Sequence, residues 1–301
     1  MATLSDALVR WVVEVVDEGA TVTEVRGLRD GSSPWLLRLA HGDEERRVVL
    51  RVGDRCDPSP LRTEQTGLSV AAAHGVPVPR LLSVDMDHDP PLVLTEAARG
   101  SSAIPRELPA ARLRILGATA AALHEIPAPP EADLASRDRP IADVDFEGLR
   151  KQQVPRPLLA EAEDLLRELS PGGVEGFVHG DLWQGNTIWA GDTLTALVDW
   201  DCAGKGPAGV DLGSLRCDAA MCFGVGAAED VLDGWEAAAG RPADDVAYWD
   251  VVAALSTPPD MGWFVETFAD QGRPDLTQAV LVGRRDEFLA AALAVLKAEF
   301  R

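Results

Sequence analysis

The sequence predicts a mixed α+β chain in two parts, a small β-rich N-terminal lobe and a larger helical C-terminal lobe. Three observations predict it. Strand-like apolar runs broken by turn signals fill the first ~95 residues. Helical periodicity dominates after about residue 99. Between them lies a connector rich in Ser, Pro and Gly, RGSSAIPRELP (99–109). The expected boundaries are 1–97 and 98–301.

The elements follow in order. Leu4, Leu8, Trp11, Val12, Val15 and Val16 share one helical face, so the first segment reads as an amphipathic helix. Asp6, Arg10 and Glu14 interrupt it, which is unlike a secretory signal, so a cytoplasmic location is expected. TVTEVRGL (21–28) reads as a strand and RDGS (29–32) as a turn. PWLLRLA (34–40) and EERRVVLRVGD (44–54) form a hairpin around HGD. LRTEQTGLSVAAAHG (61–75) is a helix with Gly75 as its stop. VPVPRLLSVD (76–85) and PLVLTEAA (91–98) are two more strands. The order is therefore helix, three strands, helix, two strands.

Beyond the connector, ARLRILGATAAALHEI (111–126) and LLAEAEDLLREL (158–169) are helices separated by a Pro-rich stretch. The apolar-flanked segment 177–189 and a short strand, LTALVDW (194–200), come next. Four helical segments follow, near 211–223, 227–239, 243–255 and 275–299. No apolar run reaches the ~18 residues a membrane helix needs. Cys56, Cys202, Cys217 and Cys222 lack metal-binding spacing and are expected to be reduced. With 28 Lys and Arg against 49 Asp and Glu, the net charge of −21 argues against nucleic acid or an anionic membrane as partner. It suits a cationic small molecule, or serves solubility alone.

FVHGDLWQGNTIW (177–189) carries the chemistry. Asp181 and Asn186 stand five apart, and Asp199 closes the strand that follows. Apolar neighbours anchor both segments and so present the polar groups from a rigid edge. Two acids and an amide suit a hard divalent cation such as Mg²⁺ with one further carboxylate to orient a hydroxyl and take its proton. Phosphoryl transfer needs this set. The spacing D-x-x-x-x-N with a later Asp is that of the protein-kinase catalytic loop.

The H-G-D form, with VDWD after it and GPAGVDLGSL beyond, resembles the aminoglycoside phosphotransferase and choline kinase-like family of small-molecule kinases. The resemblance covers nearly the whole chain and implies a protein-kinase-like fold. It makes Asp181 the catalytic base and Asn186 and Asp199 the Mg²⁺ ligands. It gives His179 and Asp211 the support of the loop. Asp201 would lie behind these residues or touch substrate.

For the nucleotide, a kinase needs a cation on the third strand and a helix Glu to hold it. Arg51 stands where protein kinases carry Lys, and Glu64 on the next helix is its expected partner. GLRDGSS (27–33) is either a phosphate loop, offering Gly31, Ser32 and Ser33, or a plain hairpin turn. Glu96, Ala97 and Ala98 would meet the base through their backbone, which does not separate ATP from GTP.

The acceptor is less legible. Trp183, Asp201, Asp260, Trp263, Glu266 and Asp270 are candidates, since acids with aromatic walls suit an amine. Alternatively, Trp263, Phe264 and Phe268 are core and the acids are a wet helix face. The expectation is a kinase moving the γ-phosphoryl of ATP or GTP to a small-molecule hydroxyl, foremost an aminoglycoside-type antibiotic. Ketosamine, choline, homoserine or macrolide kinases are alternatives, as is a regulatory module that has lost the chemistry.

Overall fold

The structure is a computed structural model and describes residues 4–29, 32–130 and 132–299. The chain divides into two compact units. The first runs to Arg99 and takes in Ala196–Asp201; the second holds Gly100–Thr195 and the chain from Cys202 onward.

The first unit opens with α1 (Asp6–Val16), whose N-terminus is capped by Ser5. A five-stranded antiparallel sheet follows, in the order β1 (Thr21–Arg29), β2 (Ser32–His41), β3 (Glu44–Val52), β5 (Leu92–Glu96) and β4 (Leu81–Asp85). Side chains alternate between faces along each strand. Val48 and Leu50 of β3 therefore join Leu37, Leu39 and Leu94 in one apolar layer, which Val12 of α1 covers. Arg51 points to the opposite face, the side of α2 (Ser59–Ala73). The expected strand 76–85 pairs only from Leu81. Pro77 and Pro79 lack the N–H that a ladder needs, and the carbonyl of Pro77 accepts instead from Leu197 N.

The second unit is mainly helical. It contains α3 (Ala110–His124), α4 (Phe146–Lys151), α5 (Pro157–Leu166), α6 (Gly209–Phe223), α7 (Ala227–Ala239), α8 (Val246–Leu255), α9 (Gly262–Asp270) and α10 (Gln278–Glu299). Two small ribbons pair β6 (Gly176–Val178) with β9 (Gly204–Gly206), and β7 (Thr187–Ala190) with β8 (Thr193–Leu197). Nearly every residue of α6 is buried, so this helix is the spine of the unit. Helices α3 and α7 touch backbone to backbone. A Cβ on Gly117 would stand 2.0 Å from the Val231 carbonyl oxygen, and one on Gly234 would stand 2.1 Å from that of Arg114.

The sequence pattern does not predict α4, and it predicts α9 only in the alternative reading that makes Trp263, Phe264 and Phe268 the core face of a helix. α4 is one capped turn and a half, with Asp145 accepting from Gly148 N at 2.8 Å, too short to show a period. α9 follows Pro258 and Pro259 and becomes a fifth helix after residue 209. Among the described residues, no helix is long and apolar enough to cross a membrane.

Candidate active site

The loop that carries Asp181 starts from β6, whose Phe177 and Val178 are fully buried. These two apolar anchors are why the polar residues after them have a fixed origin. Gly180 has φ +81, and a Cβ there would stand 2.1 Å from the Cys202 carbonyl oxygen, so only glycine fits. The loop is then clamped from α6. Asp211 accepts from His179 N at 2.7 Å and from Gly180 N at 2.8 Å. His124 of α3 reaches the same carboxylate through Nε2 at 3.3 Å. Trp235 donates to His124 Nδ1 at 3.0 Å, which leaves the imidazole proton on Nε2, facing Asp211. Burial would raise the Asp211 carboxyl, but the hydrogen bonds from His124 and from the backbone of His179 hold it below the usual range.

Asp181 N donates to His179 Nδ1 at 3.4 Å. Asn186 ends a three-residue 3-10 turn, Gln184–Asn186. Its Nδ2 donates to the Asp181 carbonyl at 2.9 Å and to Asp181 Oδ2 at 3.0 Å. The D-x-x-x-x-N spacing of the sequence is thus a direct contact. The turn is held from below by Asp218 of α6, whose Oδ2 accepts from Gln184 N at 3.2 Å and from Gln184 Nε2 at 2.7 Å.

In the first unit, Arg51 is the hub. Its Nη1 lies 2.6 Å from Glu64 Oε2 and 2.7 Å from Asp199 Oδ1, and its Nη2 lies 3.4 Å from Asp201 Oδ2. Asp199 adopts φ +69, a left-handed conformation costly for a residue with a Cβ. The next residue, Trp200, is fully buried and its Nε1 donates to the Leu197 carbonyl at 3.0 Å, which pins the turn. Burial and the neighbouring Asp199 and Asp201 push the Glu64 carboxyl up to about 7, against the pull of Arg51. Burial opposes the Arg51 charge, but Glu64, Asp199 and Asp201 more than restore it.

The pattern of the phosphotransferase enzyme family matches residues 24–255, which spans both the Arg51 cluster and the Asp181 loop. The chain belongs to this family. Among solved structures, a candidate aminoglycoside phosphotransferase from Ralstonia eutropha aligns with a TM-score of 0.67 at 16% identity, covering 96% of this chain and 98% of that one. A macrolide 2′-phosphotransferase from Brachybacterium faecium aligns at 0.62 with 18% identity, covering 92% and 97%. A microcompartment-associated aminopropanol kinase aligns at 0.63 with 19% identity, covering 98% of each chain. At these identities the likeness is one of fold. No curated protein sequence matches.

Gly31 lies outside the described residues, as does the side chain of Ser32. Ser33 Oγ accepts from Val52 N at 3.0 Å, so its hydroxyl serves the sheet. Glu96 pairs with Arg80. The N–H groups of Glu96 and Ala97 donate to the carbonyls of Arg80 and Arg47, and Ala98 is half-buried beside them.

Asp201 joins the Arg51 cluster. Trp183 packs edge-on against Phe268 at 5.6 Å between ring centres. Trp263 stacks on Phe146 at 6.3 Å and is 45% exposed. Asp260 turns back to accept from Gly262 N, while Glu266 and Asp270 are exposed. Of the acceptor candidates, Trp263, Glu266 and Asp270 stand on α9, Asp260 stands just before it and Trp183 stands in the loop after Asp181. Phe268 is buried and Phe264 partly so, as a core face requires; Trp263 is the exception.

Sequence reasoning missed His124, Gln184 and Asp218. Their one local signal is a charged or polar residue inside an otherwise apolar buried segment.

Proposed function

We propose that this family member transfers the γ-phosphoryl group of ATP to a hydroxyl of a small molecule, and that an aminoglycoside-type antibiotic is the leading acceptor. The observation that carries the reading is the contact between Asn186 Nδ2 and Asp181 Oδ2 in a loop clamped by Asp211. In this reading, residues 1–97 are the nucleotide-binding lobe and 98–301 the lobe of the catalytic loop and acceptor.

The roles follow from chemistry. Asp181 orients the acceptor hydroxyl and takes its proton as the oxygen attacks phosphorus. Arg51 presents a planar guanidinium to phosphate oxygens, which it can bind through two N–H groups. Glu64 keeps that guanidinium in place. His179 and Asp211 hold the loop so that none of this geometry is lost to motion. GTP is the alternative donor, because backbone contacts at 96–98 favour neither base.

Asn186 and Asp199 would hold Mg²⁺, which when bound neutralises charge on the phosphate oxygens. Two features fit it. With Nδ2 of Asn186 committed to Asp181, the amide oxygen is the atom that can face a cation. The carboxylates of Glu64, Asp199 and Asp201 stand around the Arg51 guanidinium, and acidic oxygen donors suit a hard divalent cation. Among the described residues, no cluster of three or more His, Cys, Asp or Glu side chains could hold a metal alone. Mg²⁺ that keeps waters and phosphate oxygens needs only one or two protein ligands.

The acceptor class rests on the charge of −21, which draws polycationic molecules, and on the kinases of similar fold acting on small molecules. Antibiotic modification in the cytoplasm would be its role. A metabolic amino-alcohol kinase is the second reading, supported by the aminopropanol kinase of similar fold. The test is a mass-spectrometric screen with ATP, GTP and Mg²⁺ against aminoglycosides, macrolides, ketosamines, choline, aminopropanol and homoserine, with Asp181→Asn as control. A phosphorylated product absent in the variant names the substrate. Nucleotide binding without any product would favour a regulatory role.

A further inference from the structure

Helix α6 carries two buried carboxylates, Asp211 and Asp218, seven residues apart. Seven residues are about two helical turns, so both face the same side, roughly 10 Å apart along the axis. Both bond the loop. Asp211 takes the N–H groups just before Asp181, and Asp218 takes the N–H and side-chain amide of Gln184 just after it. The loop is bracketed from one helix.

Asp218 has no helix-forming reason to be there. It is 3% exposed in the interior of α6, where an apolar residue would pack without the cost of desolvating a charge. Its second oxygen faces Cys222 Sγ at 3.7 Å, and the nearby Arg273 supplies compensating charge. Gln184 is itself buried, and its carbonyl accepts from Thr187 Oγ1 at 2.6 Å. The 3-10 turn is thus gripped at its N–H side by Asp218 and at its carbonyl side by Thr187. Asn186 ends that turn, closed by its own N–H to the Trp183 carbonyl at 3.1 Å. Three residues leave few soft torsions to absorb a shift, so displacement of Gln184 must reach the Asn186 amide.

We propose that Asp218 is a positioning residue that, through Gln184, fixes the amide of Asn186 for a divalent cation. The inference rests on the reading of Asn186 and Asp199 as metal ligands. Asp211 sets where Asp181 stands, and Asp218 sets where Asn186 stands, so the two anchors divide the loop between base and metal.

The experiment is calorimetric titration of a non-hydrolysable ATP analogue at a series of Mg²⁺ concentrations and in EDTA, on wild type, Asp218→Asn and Gln184→Met. Thermal unfolding is recorded on each. Partners one step behind a metal ligand typically contribute 10–100-fold to metal affinity. Asp218→Asn is expected to raise the Mg²⁺ half-saturation about tenfold, with nucleotide affinity in EDTA unchanged. Gln184→Met keeps the side-chain volume and the backbone bond, and is expected to shift the same quantity less. A purely structural Asp218 would lower the unfolding temperature and leave metal dependence alone, and that result in either folded variant overturns the proposal. If Asp218→Asn does not fold, Gln184→Met decides. Wild-type binding indifferent to Mg²⁺ would instead overturn the reading of Asn186 and Asp199, and with it the role given to Asp218.

Discussion

Nη1 of Arg51 donates to Oδ1 of Asp199 at 2.7 Å, joining residues 148 positions apart. The same nitrogen meets Glu64, and Nη2 meets Asp201. One guanidinium therefore holds together the third strand, α2 and the segment after β8. It is 17% exposed and its carboxylate at Glu64 only 6%, so water screens the pair little. In the proposed reaction, this cluster trades carboxylates for phosphate oxygens.

Removing the cation should expose that dependence. Arg51→Met takes the guanidinium away from three carboxylates, and breaking a buried pair this way costs about 3–5 kcal/mol. The loss is expected in full at pH 8 and to shrink at pH 5, where Glu64 takes up a proton. Denaturant unfolding at both values measures it; equal losses would mean that charge is not the cause. Arg51→Lys is expected to keep most of the stability but to weaken nucleotide binding, since Lys is a point charge.

Glu64 also sets a sign for wild type. Its carboxyl titrates at about 7 in the folded protein against an ordinary 4.5. A raised carboxyl favours folding below the ordinary value, and that contribution is lost as pH rises through about 7. Asp218, pushed up by burial from 3.8 to about 6, acts in the same direction. Glu64→Gln should therefore flatten the fall in unfolding free energy between pH 5 and 8. A curve parallel to wild type would show that Glu64 does not contribute.

Asp211 has the opposite sign. Its carboxyl is held below the usual range, so its stabilisation is present above about pH 4 and fades as pH falls through the depressed value. Asp211→Ala strands the N–H groups of His179 and Gly180, both bonded to a charged acceptor, and should cost about 3 kcal/mol or more. The unfolding temperature checks this, and unchanged stability at neutral pH would remove Asp211 as the clamp.

Asp181→Asn should lower turnover by about 10²–10⁴-fold while the nucleotide still binds. Equal turnover in variant and wild type would take the base role from Asp181.

Asp199→Ala should abolish the Mg²⁺ dependence of nucleotide binding. An unchanged metal titration would assign that ligand elsewhere.

The sequence by itself determined the β-rich first part, the helical second part and the central loop. Those signals are local. Alternation along β3 places Arg51 opposite Val48 and Leu50, and Asp181 and Asn186 share one short stretch whose spacing is already a contact. Family membership followed from the same contiguous residues. The tertiary structure decided which distant groups meet. Asp201 was open between two roles until the backbone turned at Asp199, with φ +69, and brought it to Arg51. His124 and Asp211 lie 87 positions apart, and Gln184 and Asp218 lie 34 apart. No period links such pairs, because the direction of a buried side chain is set by the helix it packs on rather than by its sequence neighbours. α9 stayed one of two readings of its segment for a related reason. Its aromatic residues divide between core and surface, Phe268 inward and Trp263 outward, and only packing against Trp183 and Phe146 sorts them.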